Sequence, residues 1–344
     1  MNPKLLLALG AMALLVALYA LLYWFRAPVT IDHLRLGAYE GDVGALEWIA
    51  KDQGFYQKVG LDVAIKGYPS GKAASDALKK GEVDVATASE FVVASRSFTE
   101  PDLRILCNIA YYGNKGIIGR RDRGITKAAD LKGKRIGVTQ PSGAEYSLNV
   151  FLALHGLTVK DVTPVNLAPD QLVNAIQMGS IDAAITWQPH VQSIEKILGA
   201  NAISFLGDGL DTYLLLLVTQ SEKLADSKIA LNKLMKALIM AENWVVNHPA
   251  EARQYVANRF KLDALYVELQ WKRMQFAVTL PQELLSALDS EARWLASTQS
   301  AAIPNYAGFI WAEPLKLANP LAVSLYTEAQ VPGDTHRSNS AAKQ

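Results

Sequence analysis

Several short stretches place polar or aromatic side chains where an apolar run gives way to a helical pattern. Ser142-Gly143-Ala144 follows the run Arg135–Thr139 and precedes an amphipathic segment with Leu148, Phe151 and Leu152 on one face. A helix start exposes unpaired backbone N–H groups and about half a positive charge, which suits an anionic head group. Ser142 with Glu145 also makes the S-x-x-E pattern of a capping box, so the same residues read equally as structure. Ser89-Glu90-Phe91 ends a second run, and a glutamate there either faces a cleft or caps the next helix. Trp187-Gln188 ends a third, where the indole either stacks on a flat or aliphatic ligand or fills a core. Tyr39-Glu40-Gly41-Asp42 is a polar turn after a fourth.

These turns need elements to carry them. Leu34–Ala38, Leu61–Tyr68, Val83–Ala88, Leu103–Ile109, Lys115–Gly119 and Arg135–Thr139 read as strands, with helical patterns such as Ala45–Gln53 between them. Pro69-Ser70-Gly71-Lys72 opens another helix, which closes at Gly81. Such alternation predicts parallel sheets with crossover helices. A short repeat supports two units of one plan: Ala77–Ala86 (ALKKGEVDVA) aligns with Ala175–Ala184 (AIQMGSIDAA). Each copy reads as a helix closed by glycine, a one-turn connection and a buried strand. Ala202–Leu206 and Tyr213–Thr219 are further strands, joined by a flexible connector at 207–211. From Ser221 the pattern turns helical: Ala230–Val246, Leu265–Phe276 and Gln282–Thr298, with Pro249 restarting a helix and Pro304–Pro320 irregular. Gly113 and Gly116 are candidate hinges.

Half of the 344 residues are apolar, and 34 Lys+Arg stand against 33 Asp+Glu. That near-balance, without zinc-finger spacing or an Arg-rich arm, argues against a nucleic-acid partner. A single cysteine, Cys107, excludes an intrachain disulfide and reads as an inert buried thiol. The histidines show no i, i+4 metal pair, and no Walker loop, G-x-S-x-G or G-x-G-x-x-G occurs, so neither metal nor cofactor is expected. His155 reads as a core or C-terminal helix residue. Leu5–Phe25 carries no charge, is flanked by Lys4 and Arg26, and ends in Tyr23-Trp24-Phe25. As a helix it would span roughly 30 Å, a bilayer core, with aromatics at the interface. It suits an uncleaved signal anchor better than a cleaved signal peptide, and places the rest of the chain outside the cytoplasmic membrane.

Asp130–Val138 (DLKGKRIGV), Ser142–Glu145, Leu167-Ala168-Pro169-Asp170, Gly179–Ala184, Trp187-Gln188-Pro189, Glu313-Pro314-Leu315 and Asn319-Pro320 occur in this order. Across about Leu34–Tyr326 the chain resembles the ABC-transporter substrate-binding proteins of the nitrate/sulfonate/taurine type, which are similar to the thiamine-pyrimidine-precursor binders. The resemblance implies an α/β fold, periplasmic-binding-protein-like type II, with two lobes joined by two crossover strands and a cleft that closes on its ligand. The chain then divides into 1–26, a signal anchor or signal peptide; lobe 1, 27–113 with 214–326; lobe 2, 114–213; and a disordered tail, 327–344. The resemblance also implies that Tyr39, Glu40 and Asp42 line the cleft and that Tyr112, Lys115, Asp211 and Tyr213 lie at its base. With Ser89, Glu90, Ser142, Gly143, Glu145, Trp187 and Gln188 they form the candidate ligand-binding set.

Glu40, Asp42, Glu90, Glu145 and Asp211 face only Lys72 and Lys115 in this tally, a balance that repels a simple inorganic anion. An aminosulfonate or an aminopyrimidine meets it better. The implied function is the extracytoplasmic solute-binding component of an ABC importer, a monomer that works by hinge closure with a membrane permease. A membrane-tethered sensor acting through a partner is a second reading. An enzyme of the thiamine-pyrimidine synthesis type is a third, and would need a cysteine/histidine-rich iron-binding patch that one cysteine does not supply.

Overall fold

The computed structural model describes residues 31–113, 115–206, 213–299 and 301–325, together with Met12. Apart from Met12, the anchor expected at Leu5–Phe25 lies outside the described residues, as do the connector 207–211 and the tail 327–344. Among the described residues no helix is long and apolar enough to cross a membrane.

Two sheets carry the chain. β1 (Asp32–Tyr39), β2 (Leu61–Tyr68), β3 (Val85–Ser89) and β4 (Leu103–Tyr112) open the first. β5 (Lys115–Arg120), β6 (Arg135–Val138), β7 (Thr163–Asn166), β8 (Ala183–Trp187) and β9 (Ala202–Phe205) make the second. The chain returns to the first sheet with β10 (Tyr213–Gln220) and β11 (Met274–Thr279). The strand orders are β11-β4-β10-β3-β1-β2 and β7-β6-β8-β5-β9. The sheets share a plan. β1 lies between β2 and β3, parallel to both, as β6 lies between β7 and β8. The crossover strands β10 and β5 then add antiparallel to β3 and β8.

The repeat seen in the sequence has a chemical counterpart. Gly81 and Gly179 close their helices at φ +70° and +73°, the left-handed region that glycine enters without steric cost. The aspartate three residues on, Asp84 or Asp182, accepts from both the backbone N–H and the guanidinium of an arginine in the neighbouring strand, Arg35 of β1 or Arg135 of β6. Each arginine also donates to the carbonyl of the closing glycine, at 2.9 and 2.8 Å. The same fork fixes helix, connection and strand in both lobes.

Burial follows the helical stripes. Helix Ser221–Asn247 packs Leu231, Leu234, Met235, Leu238 and Ala241 into the core of the first lobe. In the second, helix Gly143–Leu154 covers one sheet face with Leu148, Phe151 and Leu152. Helices Pro169–Met178 and His190–Leu198 cover the other with Leu172, Ile176, Val191 and Ile194. Cys107 is buried in β4.

Three local readings need correction. The helix expected over Leu265–Phe276 stops at Trp271, and β11 begins at Met274. Phe276 pairs with Ala110 of β4 and is buried with Ala277 and Val278, so sheet pairing overrides the local helical pattern. Pro304–Pro320 is less irregular than expected: it holds a helix, Glu313–Ala318, and Trp311 N–H donates to Ile105 O at 2.9 Å. Gly116 lies inside β5, where a Cβ would come within 2.6 Å of Leu206, so close packing rather than hinging accounts for it. His155 is exposed at its helix end, 4.4 Å from the Phe151 ring.

Candidate functional site

The loops leaving the carboxyl ends of β1, β2, β3, β6 and β7 meet between the two sheets around a cavity of about 110 Å³. Lobe 1 contributes Tyr39 and Val43, then Ser70-Gly71-Lys72, then Ser89 and Val92. Lobe 2 contributes Thr139, Pro141 and Ser142-Gly143-Ala144, then Pro169 and Trp187. Tyr112, Lys115 and Leu215 of the crossover strands form the floor. The wall is largely apolar, and its only charged side chains among the described residues are Lys72 and Lys115.

Two of these loops are serine-capped starts of longer helices. Ser70 Oγ accepts from Ala73 N–H at 3.1 Å, opening helix Gly71–Lys79. Ser142 Oγ accepts from Ala144 N–H at 3.2 Å and donates to Thr139 O at 2.5 Å. The reciprocal arm of the expected capping box is not made, because Glu145 accepts from Gln140 Nε2 at 2.8 Å instead. Both helices therefore present their positive ends to the cavity. Ser89 caps the shorter helix Glu90–Arg96 at 3.4 Å from Val92 N–H.

Lys115 is 5% exposed. Its amine stands 2.7 Å from the centre of the Tyr213 ring, and a Cβ at Gly143 would come within 2.8 Å of it. Glycine at 143 thus lets the amine reach the helix start. Among the described residues no carboxylate lies within ion-pair distance of that amine. Behind it two carboxyl groups are buried. Glu90 Oε2 accepts from Leu214 N–H at 3.1 Å, while Glu90 Oε1 and Glu291 Oε2 have no partner. Burial pulls the Lys115 amine down to about 7, against the opposing pull of Glu90 and Glu291. Burial raises both carboxyls, Glu291 furthest because the Glu90 charge adds to it.

The lobes touch across the cleft. Tyr39 of lobe 1 and Trp187 of lobe 2 stand on the same cavity wall. Tyr146 of lobe 2 packs against Phe91 and Trp294 of lobe 1, with centroids 6.2 and 5.8 Å apart. Ser147 Oγ meets Tyr213 OH at 2.5 Å. This is a closed arrangement.

Of the residues singled out from the sequence, Tyr39, Ser89, Tyr112, Lys115, Ser142, Gly143 and Trp187 come together on the cavity wall. The remaining described ones do not line it. Glu40 is turned outward, with both Arg259 amines at 3.4 Å. Asp42 is buried against Tyr266 OH at 2.7 Å and Val43 N–H at 2.9 Å. Glu90 sits behind Lys115, Glu145 is held by Gln140, and Gln188 Oε1 accepts from Gln192 N–H at 3.2 Å. Tyr213 lies beneath the Lys115 amine, and Asp211 is outside the described residues. The tally of carboxylates against lysines therefore needs correction: charges close in sequence to the lining turns are spent elsewhere in the fold. The Ser70-Gly71 start went unnamed as a site, although it occupies the same strand-to-helix junction as Ser142-Gly143. Glu291 carries no local signal at all.

Residues 45–252 match the family described as NMT1/THI5 like. The chain belongs to the NMT1/THI5-like family. It is 27% identical over 230 residues to a putative aliphatic sulfonates-binding protein of Bacillus subtilis (strain 168), covering 64% of this chain and 68% of that protein. It is 29% identical over 159 residues to the taurine-binding periplasmic protein of Escherichia coli (strain K12), covering 46% and 49%. Among solved structures, the alkanesulfonate-binding protein SsuA of Xanthomonas axonopodis pv. citri, bound to MOPS, superposes with a TM-score of 0.69 at 22% identity, covering 82% of this chain and 99% of that one. The desulfurization enzyme DszB superposes at 0.63 and 16% identity, covering 83% and 98%. At these identities the structures establish the two-sheet α/β periplasmic-binding-protein fold, which binding proteins and an enzyme share.

Proposed function

We propose that this protein is the extracytoplasmic solute-binding component of an ABC importer and that its ligand is a small organic sulfonate. One observation carries the reading: the cavity combines a largely apolar wall with two lysines and two helix starts, and no carboxylate among its described lining residues. The sulfonate end lies against Lys115 and the Gly143 amide at the helix start, and a short alkyl tail lies against Val43, Val92, Leu215 and Trp187. Sulfonate- and taurine-binding relatives in the same family support this class. The apolar wall disfavours nitrate or sulfate, which have no tail to bury.

Capture works by closure. A ligand touching both lobes stabilises the form held by Ser147 with Tyr213 and by Tyr146 against Phe91 and Trp294, and the permease reads that form. A tether at Leu5–Phe25 would keep the protein beside its permease. No covalent step is required. The chain's one thiol, Cys107, is buried inside β4 and raised by burial, so it supplies no nucleophile to the cleft. A thermal-shift screen of alkanesulfonates, taurine, aminopyrimidines and inorganic anions tests the reading. Ethanesulfonate should raise the unfolding temperature most. Stabilisation by an aminopyrimidine and by no sulfonate refutes it.

A further inference from the structure

We infer that the cleft takes up a proton together with its anion, and that the proton is held on Lys115 Nζ. The inference rests on the anion-binding reading above and adds what happens to the charge.

The geometry carries it. Lys115 is buried and pressed against Gly143 at a helix start, whose positive end opposes an ammonium; the Tyr213 ring and the Glu90 and Glu291 charges favour the ammonium, and burial outweighs them. No carboxylate of the described residues reaches ion-pair distance. Glu90 and Glu291 lie behind it, each with an oxygen that has no partner among the described residues, and the Glu90 charge raises the cost of ionising Glu291. The empty site is therefore a poor place for a positive charge. An anion in the cavity supplies the counterion that the protein withholds. In a low-dielectric pocket an ammonium–sulfonate pair is far more favourable than an amine facing a bare anion. The step balances as amine, proton from solvent and sulfonate giving an ammonium–sulfonate pair.

Other groups face this amine from every side. Tyr112 of β4, Tyr39 of β1 and Tyr146 of helix Gly143–Leu154 are raised and stay neutral, and Tyr213 of β10 is hydrogen-bonded to Ser147. Lys72 enters from helix Gly71–Lys79. His190, edge-on to Trp187 at 6.5 Å, is lowered by burial and is the competing proton acceptor. A lysine-specific variant separates them. Arginine keeps its charge at all working pH, so Lys115→Arg presents a cation before the ligand arrives.

The test is calorimetric titration of the full chain with ethanesulfonate at pH 7 and pH 8, in buffers of differing ionisation enthalpy. The expected uptake is about half a proton at pH 7, rising toward one at pH 8, with affinity falling up to tenfold per unit above pH 7. Lys115→Arg should bind with no uptake and a flat profile. Because arginine is bulkier than lysine, the wild type carries a second readout that needs no substitution. With ¹³Cε-labelled lysine, the Lys115 resonance should titrate near pH 7 when free and keep its ammonium position through pH 9 when bound. Binding without proton uptake overturns the inference and leaves the sulfonate reading intact. Equal uptake in Lys115→Arg overturns it by moving the proton to His190 or a carboxyl. Failure of ethanesulfonate to bind at any pH from 6 to 9 overturns both.

Discussion

Replacing Glu47 by glutamine should make the protein more stable as pH rises. Glu47 lies in the first turn of helix Ala45–Asp52, is fully buried, and neither carboxyl oxygen finds a partner among the described residues. The helix start favours the ionised form by about 0.3–1 kcal/mol. Burial opposes it far more strongly and pushes the group up to about 8 from an ordinary 4.5. The folded state therefore holds this proton more tightly than the unfolded chain does. Its stabilising effect is complete below pH 4.5 and is lost progressively as pH rises to about 8, at up to about 1.4 kcal/mol per unit. From pH 5 to pH 8 the wild type should lose roughly 4 kcal/mol through this group alone. Glutamine has the same shape and no such titration. Urea unfolding of both proteins at pH 5, 6, 7 and 8, followed by tryptophan fluorescence, isolates the effect, because every other titrating group cancels in the difference. The glutamine variant should gain on the wild type steadily across that range. Parallel stability curves would show that Glu47 is hydrated or paired in the folded protein, and would refute the argument.

Gly143→Ala brings a Cβ to 2.8 Å from the Lys115 amine, which must swing away from the helix start; sulfonate affinity should fall about tenfold, about 1.4 kcal/mol by calorimetry, with little change in unfolding temperature. Trp187→Ala removes an aromatic side chain from the cavity wall, so sulfonate affinity should drop about tenfold, about 1.4 kcal/mol by calorimetry, and an unchanged affinity would take the indole away from the ligand. Asp182 is held below the usual carboxylate range by Arg135, so its contribution is present at neutral pH and lost as pH falls through that lowered value. Asp182→Asn should cost about 2 kcal/mol at pH 7 and progressively less as pH falls below the ordinary carboxylate range; a cost that does not change with pH would show that the fork does not depend on charge. Cys107 should resist thiol reagents in the native protein and react at once in denaturant; rapid native labelling would place it outside the core.

Much of the fold was legible because it is written in local patterns. Strand runs, serine caps and the Gly81 and Gly179 helix closures depend on residues a few positions apart, and the repeat around Asp84 and Asp182 announced two lobes of one plan. The Leu265–Phe276 stretch shows where this fails. Its strand exists because β4 offers an edge, and β4 lies far away in the chain.

The site divides along the same line. Sequence alone determined that Ser142-Gly143 starts a helix at a strand end, that Lys115 opens a crossover strand, and that one buried cysteine makes poor chemistry. A side chain's neighbours several strands away are not encoded in its own stretch, and only the tertiary structure decided them. Glu40 is drawn off by Arg259, Asp42 by Tyr266 and Glu145 by Gln140, so the apparent ring of carboxylates dissolves and the cavity is left to two lysines. Glu291 arrives from the distant helix Glu283–Gln299 and joins Glu90 behind Lys115. The charge of this cleft is a property of packing, because burial and partners, rather than residue type, decide which ionisable groups a ligand meets.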